Sequence, residues 1–139
     1  MVVLPDSARA VLTGPNLAHV VTIDPDGGPQ VSCVWVGVDG DEVVFGSLGP
    51  FRKIRNLERD PRIALSIESS ATNAIGMREY LVLQGRARVV PGGAPELLQE
   101  LARVHVGPDV KFPPMDDPPP GSIVRITVEK ISGVGPWTS

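Results

Sequence analysis

Short β-type segments closed by turn signals recur along this chain, and they constrain its architecture more than any other feature. Ala18–Asp24 is rich in Val, Ile and Thr, the composition of a strand. Pro25-Asp26-Gly27-Gly28 follows as a turn signal. Gln30–Asp39 reads as a second strand, with Val31, Cys33 and Trp35 on one face. Asp39-Gly40 then predicts a hairpin into a strand over Glu42–Ser47. Ile63–Glu68 and Tyr80–Val90 continue the series, separated by a polar loop over Ser69–Arg78, and Pro91-Gly92-Gly93 ends it. The last strand, Ile123–Val134, alternates Ile123, Arg125, Thr127 and Glu129 against Val124, Ile126, Val128 and Lys130. Turns this short join antiparallel neighbours, because parallel strands need a crossover of a dozen residues or more.

Three helices interrupt the strands. Asp6 or Ser7 can cap a short one through Leu12. Gly49-Pro50 opens a second that Asp60-Pro61 closes, since the residue before proline disfavours helix. Ala94–Val106 is the third, with Leu97, Leu98 and Leu101 on one face. This order predicts a mainly β, antiparallel barrel with peripheral helices rather than a doubly wound sheet. The chain of 139 residues is enough for one domain. Gly107–Gly121, where six prolines gather, is then one long loop within it.

The segment Pro50–Arg62 carries the most chemical information. Helical spacing places Phe51, Ile54 and Leu57 on a stripe that should face the core. Arg52, Arg55, Asn56 and Arg59 fall on the opposite arc, with Lys53 at its edge. The charges oppose the helix dipole: Arg52 and Lys53 lie in the first turn, Glu58 and Asp60 at the end. Each mismatch costs about 0.3–1 kcal/mol when exposed. An anion at the start of the helix would reverse that cost, meeting free N–H groups and cationic side chains together. The alternative is an arginine-rich surface helix with no ligand.

The anion site must be local, because the whole chain carries a net charge of −3. That balance argues against nucleic acid or an anionic membrane as partner. No apolar run approaches the roughly 20 residues needed to span a bilayer. Met1–Leu4 lacks the basic lead of a secretory signal, and Pro5 interrupts it. A single cysteine, Cys33, permits no internal disulfide, which suits a cytoplasmic protein.

The stretch Gly49-Pro50-Phe51-Arg52-Lys53-Ile54-Arg55-Asn56-Leu57-Glu58-Arg59-Asp60-Pro61-Arg62 resembles the signature of the pyridoxamine-phosphate-oxidase-like split barrels. Within them it is similar to the flavin/deazaflavin oxidoreductases that use coenzyme F420. His19–Gln30 resembles the first hairpin of that family, Val31–Val36 its second strand and Tyr80–Val90 its long strand. The resemblance runs from Leu12 to Val134. It departs at Phe51, where many relatives carry an arginine.

The resemblance implies a split β-barrel and a homodimer, with the cofactor in a groove at the dimer interface. Carried over by position, Lys53 and Arg52 would meet the cofactor phosphate, helped by Asn56. Gln30, Ser32 and Val34 would lie beside the ring, partly through backbone atoms. Ser47 would stand near the phosphate. Met77 and Arg78 would reach across from the partner chain. The Arg-Asn-Leu-x-Arg-Asp-Pro-Arg form favours coenzyme F420, with FMN as the alternative. Gly133–Ser139 lacks the basic C-terminal end of the pyridoxamine phosphate oxidases proper.

The implied activity is hydride transfer between reduced deazaflavin and a small unsaturated organic acceptor. A non-catalytic cofactor carrier on the same fold is the competing reading, and a haem-binding relative a weaker one. No catalytic residue is assigned, because the cofactor carries the hydride and the protein mainly orients it. Two histidines and one cysteine give no zinc-ligand spacing. His19 reads as structural, His105 as a cation suited to its helix end, Cys33 as a small buried residue and Trp35 as packing. Asp116-Asp117 reads as solvated. Trp137 is expected to pack on the partner, line the acceptor pocket or fray.

Overall fold

A computed structural model describes residues 2–138. Met1 and Ser139, the ends of the apolar lead and of the tail considered above, lie outside the described residues. Seven strands form one sheet: β1 (Ala18–Ile23), β2 (Pro29–Val34), β3 (Gly37–Asp39), β4 (Glu42–Ser47), β5 (Arg62–Thr72), β6 (Arg78–Pro91) and β7 (Ser122–Val134). Three helices flank it, α1 (Asp6–Thr13), α2 (Arg52–Arg59) and α3 (Ala94–His105). The strand order is β2-β1-β5-β6-β7-β4-β3, and every neighbouring pair is antiparallel.

That order makes the sheet a barrel with a seam. β2 and β3 are its two ends, yet only Trp35 and Val36 separate them in the chain. The sheet must therefore curl until its edges meet. The single strand expected over Gln30–Asp39 is broken for this reason: the chain turns the corner at Trp35-Val36 and changes edge. β3 pairs only with Glu42–Val44 of β4, so Phe45–Ser47 have no strand on that side. The opening between β2 and the end of β4 is the split in the barrel.

Alternation fills the interior. Ile63, Leu65 and Ile67 of β5, Leu81, Leu83 and Ala87 of β6, and Val124, Ile126 and Val128 of β7 point inward around Phe45. Burying each large aliphatic side chain contributes roughly 1.5–3 kcal/mol. A bulge between Gln84 and Gly85 shifts the β6–β7 register. Gly85 is required there, since a Cβ would lie 2.1 Å from the Thr127 carbonyl oxygen.

Several expectations change at element ends. Half of the loop assigned to Ser69–Arg78 is strand, and the turn is only residues 73–77. Asn73 builds it: its side-chain oxygen accepts from the amides of Ile75 (3.1 Å) and Met77 (3.0 Å). Helix α2 starts at Arg52, not at Pro50. Phe51 stays extended so that its carbonyl accepts from the amides of Ile54 (2.9 Å) and Arg55 (3.1 Å). Its ring therefore leaves the buried stripe and is 57% exposed. Asn56, placed on the outer arc by spacing, is 2% exposed and joins Ile54 and Leu57 inside. Trp137 does not fray: it folds back in a short 3-10 turn and is 8% exposed in the core.

Candidate functional site

The split between β2 and β4 opens into a cleft with a cavity volume of about 310 Å³. Cys33 and Val34 come from β2, Gly46 and Ser47 from β4, and Phe51 and Lys53 from the start of α2. Trp35, Leu98 and Phe112 close the far side. Lys53 is the one cation among these lining residues, and the other walls are largely apolar.

The far wall is preorganised. Trp35 stacks on His105 with ring centroids 5.4 Å apart and meets Phe112 edge-on at 5.1 Å. Phe112 is delivered from the proline-rich loop by Gln99. The Gln99 amide nitrogen donates to the Val110 carbonyl (2.9 Å), and its oxygen accepts from the Phe112 amide (3.0 Å). Trp35 thus packs as expected while also forming a wall. His105 lies at its helix end as expected, but burial lowers its imidazole below the usual range, and its Nε2 is buried without a hydrogen-bond partner among the described residues. His19 is exposed on β1. Asp116 is solvated, with an exposed pairing to Lys111 at 3.1 Å.

The cations of the basic segment divide sharply. Arg52 forms a bidentate pair with Asp24, its Nε donating to Oδ1 at 2.8 Å. Arg59 donates to the Ile23 carbonyl and to Asn56 Oδ1. Arg62 is held by Asp60 at 2.7 Å. Arg55 is exposed on the helix surface. Lys53 differs from all of them: it is partly buried in the cleft and has no ion pair among the described residues. Its ammonium lies 5.5 Å from the centroid of the Phe51 ring, a cation–π contact. Burial alone pulls the Lys53 amine below the usual lysine range. No side chain caps the start of α2, so its first N–H groups are also without side-chain partners.

The structure brings Val34, Ser47 and Lys53 together at the cleft. The Ser47 hydroxyl donates to the Gly49 carbonyl at 2.8 Å and so holds the β4–α2 connection. Gln30 and Ser32 share the inward face of β2 with Val34, away from exposed Val31 and Cys33. Ser32 Oγ is buried and has no hydrogen-bond partner among the described residues. Arg52 and Asn56 are instead gathered by Asp24, which is 8% exposed. Arg52 and then Asn56, by hydrogen bonding, hold the Asp24 carboxyl below its usual range. Met77 and Arg78 sit on the β5–β6 hairpin, outside the cleft of their own chain, where Arg78 donates to the Ser69 carbonyl at 3.2 Å.

Two residues of this region were invisible in the sequence pattern. Asp24 read as the last residue of the first strand, yet its partner Arg52 is 28 positions away. Cys33, expected to be buried, lies on an edge strand and lines the cleft. A larger hollow of about 340 Å³ lies on the outer sheet face, between Val21, Ile23, Arg62, Ala64, Arg86 and Lys130. None of the residues predicted for the site lines it. Arg62 and Arg86 there already face Asp60 and Glu129.

The antiparallel barrel is the fold that the resemblance implied, and a wider comparison agrees. The sequence model of the family described as pyridoxamine 5'-phosphate oxidase matches residues 4–135. The chain belongs to this family. It is a family of flavin-type oxidoreductases with the split-barrel fold. One solved relative is described as an F420 reductase. It is 25% identical, with a TM-score of 0.74, over 93% of this chain and 98% of that one. A conserved hypothetical protein from Mycobacterium tuberculosis shares the fold at 22% identity. Its TM-score is 0.76, over 99% of this chain and 86% of that one. Among the described residues of this family member, no helix is long and apolar enough to cross a membrane.

Proposed function

We propose that this chain binds coenzyme F420 at the barrel seam, as half of a homodimer, and supports hydride transfer between the reduced deazaflavin and a small unsaturated organic acceptor. Lys53 is the observation that carries the reading. A partly buried ammonium without a counter-ion is costly. Beside the uncapped start of α2, it is matched by a phosphate group. The relative described as an F420 reductase adds support for a deazaflavin.

The residues of the cleft fit such a cofactor. Lys53 and the free N–H groups of α2 would hold the phosphate. Val34 and Trp35 would flank the ring and exclude water, and Ser32 and Gln30, which lie further along β2 outside the cleft lining, would meet its polar edge. The bound deazaflavin supplies the hydride. Among the described residues no carboxylate or imidazole lines the cleft, and a proton for the acceptor would come from solvent. The seam on one protomer is at the lower end of small-molecule sites, roughly 300–1,000 Å³. A second copy would complete it, with its Met77 and Arg78 reaching over the ring.

FMN is the weaker choice of cofactor. An oxidase acting on a phosphorylated substrate needs further cations for the substrate phosphate, and Lys53 stands alone in the cleft. Oxidation of the reduced coenzyme in the presence of enones, quinones or tetrapyrroles tests the enzymatic reading. Turnover above background with one class of acceptor supports it. Tight binding without turnover on any of them would make the chain a cofactor carrier.

Two further results are expected. Affinity for the coenzyme should fall as pH rises, starting below the ordinary lysine value of 10.5. Burial favours the neutral amine in the free protein, whereas a bound phosphate favours the ammonium. Binding is therefore full below the free-state pKa of Lys53 and weakens above it, which titrations across the alkaline range would detect. Cys33 should react with a maleimide in the native protein, since it is exposed and lines the cleft. Saturating coenzyme should slow that labelling at least fivefold, as read by mass spectrometry over time.

A further inference from the structure

Thr22 is fully buried, and its hydroxyl is the middle link of a chain of side-chain hydrogen bonds. Arg59 can only donate, so Asn56 Oδ1 is the acceptor in the 3.3 Å bond between them. The Asn56 amide nitrogen then faces inward and donates to Asp24 Oδ1 (2.9 Å) and to Thr22 Oγ1 (3.0 Å). Asp24, kept ionised by Arg52, can only accept. Thr22 in turn donates its single proton to Gln30 Oε1 at 2.7 Å. The Gln30 oxygen is thereby committed, and its Nε2 turns outward with only a long 3.3 Å bond to the Val31 carbonyl.

We propose that Asp24, Asn56 and Thr22 are positioning residues that fix Gln30 as a hydrogen-bond donor toward the edge of the bound ring. The inference rests on the seam as the cofactor site. Gln30 shares the inward face of β2 with Val34 at the cleft and with Ser32, whose buried hydroxyl lacks a partner midway between them. Val34 to Gln30 spans about 13 Å of strand at 3.3 Å per residue, the reach of a flat ligand anchored near Lys53. The chemistry selected is an acceptor on the ring edge, a carbonyl or a deprotonated nitrogen. A Gln30 amide free to flip would offer donor and acceptor equally; the chain of bonds removes that choice.

A double-mutant cycle on the full chain tests this, with coenzyme F420 and FMN as probes in fluorescence titrations. Thr22→Val should weaken binding of the preferred coenzyme at least fivefold, and Thr22→Ser should restore it to within twofold. In a Gln30→Ala background, Thr22→Val should add less than a twofold loss, because Thr22 acts through Gln30. Gln30→Glu, which replaces the donor by an acceptor, should weaken binding at least tenfold and remains informative if Thr22→Val does not fold. In the cofactor-free protein, Thr22→Val should shift the side-chain amide resonances of Gln30, and Thr22→Ser should return them. The same loss from Thr22→Val in both backgrounds, or wild-type binding by Gln30→Glu, would overturn the positioning role while leaving the cofactor site standing. Wild-type protein that binds neither coenzyme would overturn the site and the positioning role together.

Discussion

Replacing Lys53 by alanine is expected to weaken coenzyme F420 binding at least tenfold, about 1.4 kcal/mol, without unfolding the protein. The fold should survive because Lys53 has no ion pair to lose among the described residues, only a 5.5 Å approach to the Phe51 ring. Removing its partly buried charge relieves desolvation in the free protein, so thermal stability should hold or rise slightly. Affinity should nevertheless fall, since a hydrogen bond to a charged group contributes about 1.5–3 kcal/mol. Arg52→Ala should cost less, because that guanidinium is already committed to Asp24. Isothermal titration of both variants, with circular dichroism as the control for folding, separates these outcomes. Equal losses for Lys53→Ala and Arg52→Ala would assign the phosphate to the pair instead of to Lys53.

The other large effect concerns Gly121. Its φ is +57°, in the left-handed region, and a Cβ would lie 2.1 Å from the Ser47 carbonyl oxygen and 2.8 Å from the Ala94 Cβ. Its own carbonyl accepts from the Gly92 amide at 2.7 Å, which anchors the entry to β7 beside the start of α3. Gly121→Ala therefore combines backbone strain with a clash against backbone that has no room to move. A cost of roughly 3 kcal/mol or more follows, visible as a lower urea midpoint at an unchanged slope. Because Ser47 lines the cleft, coenzyme affinity of the folded fraction should fall as well. Gly40→Ala is the control: its φ is +63°, but nothing lies within 4 Å of the added carbon. It should cost only about 1 kcal/mol and leave binding unchanged.

Most of the barrel was legible because period-two alternation reports burial directly. The inward residues of β5 to β7 follow from that pattern, and Glu42–Ser47 from the hairpin turn that precedes it. The break at Trp35-Val36 was not legible, since it arises from closure of the sheet and not from local propensity. Phe51 misled for a related reason: helical spacing assumes helical backbone, and Phe51 lies one residue outside it. Asn56 could not be placed by polarity either, because what makes it buried is a carboxylate just past the end of β1. Lys53 stood out in the sequence as a cation at the wrong end of a dipole. Only the packed structure distinguished it from Arg52, by showing which of the two already has an anion.

A direct fluorescence titration of the purified wild-type protein with coenzyme F420, and separately with FMN, tests the central claim most directly. Saturable binding of the deazaflavin, tighter than that of FMN and weakened at least tenfold in Lys53→Ala, is the result expected. Tight FMN binding with no response to coenzyme F420 would contradict it.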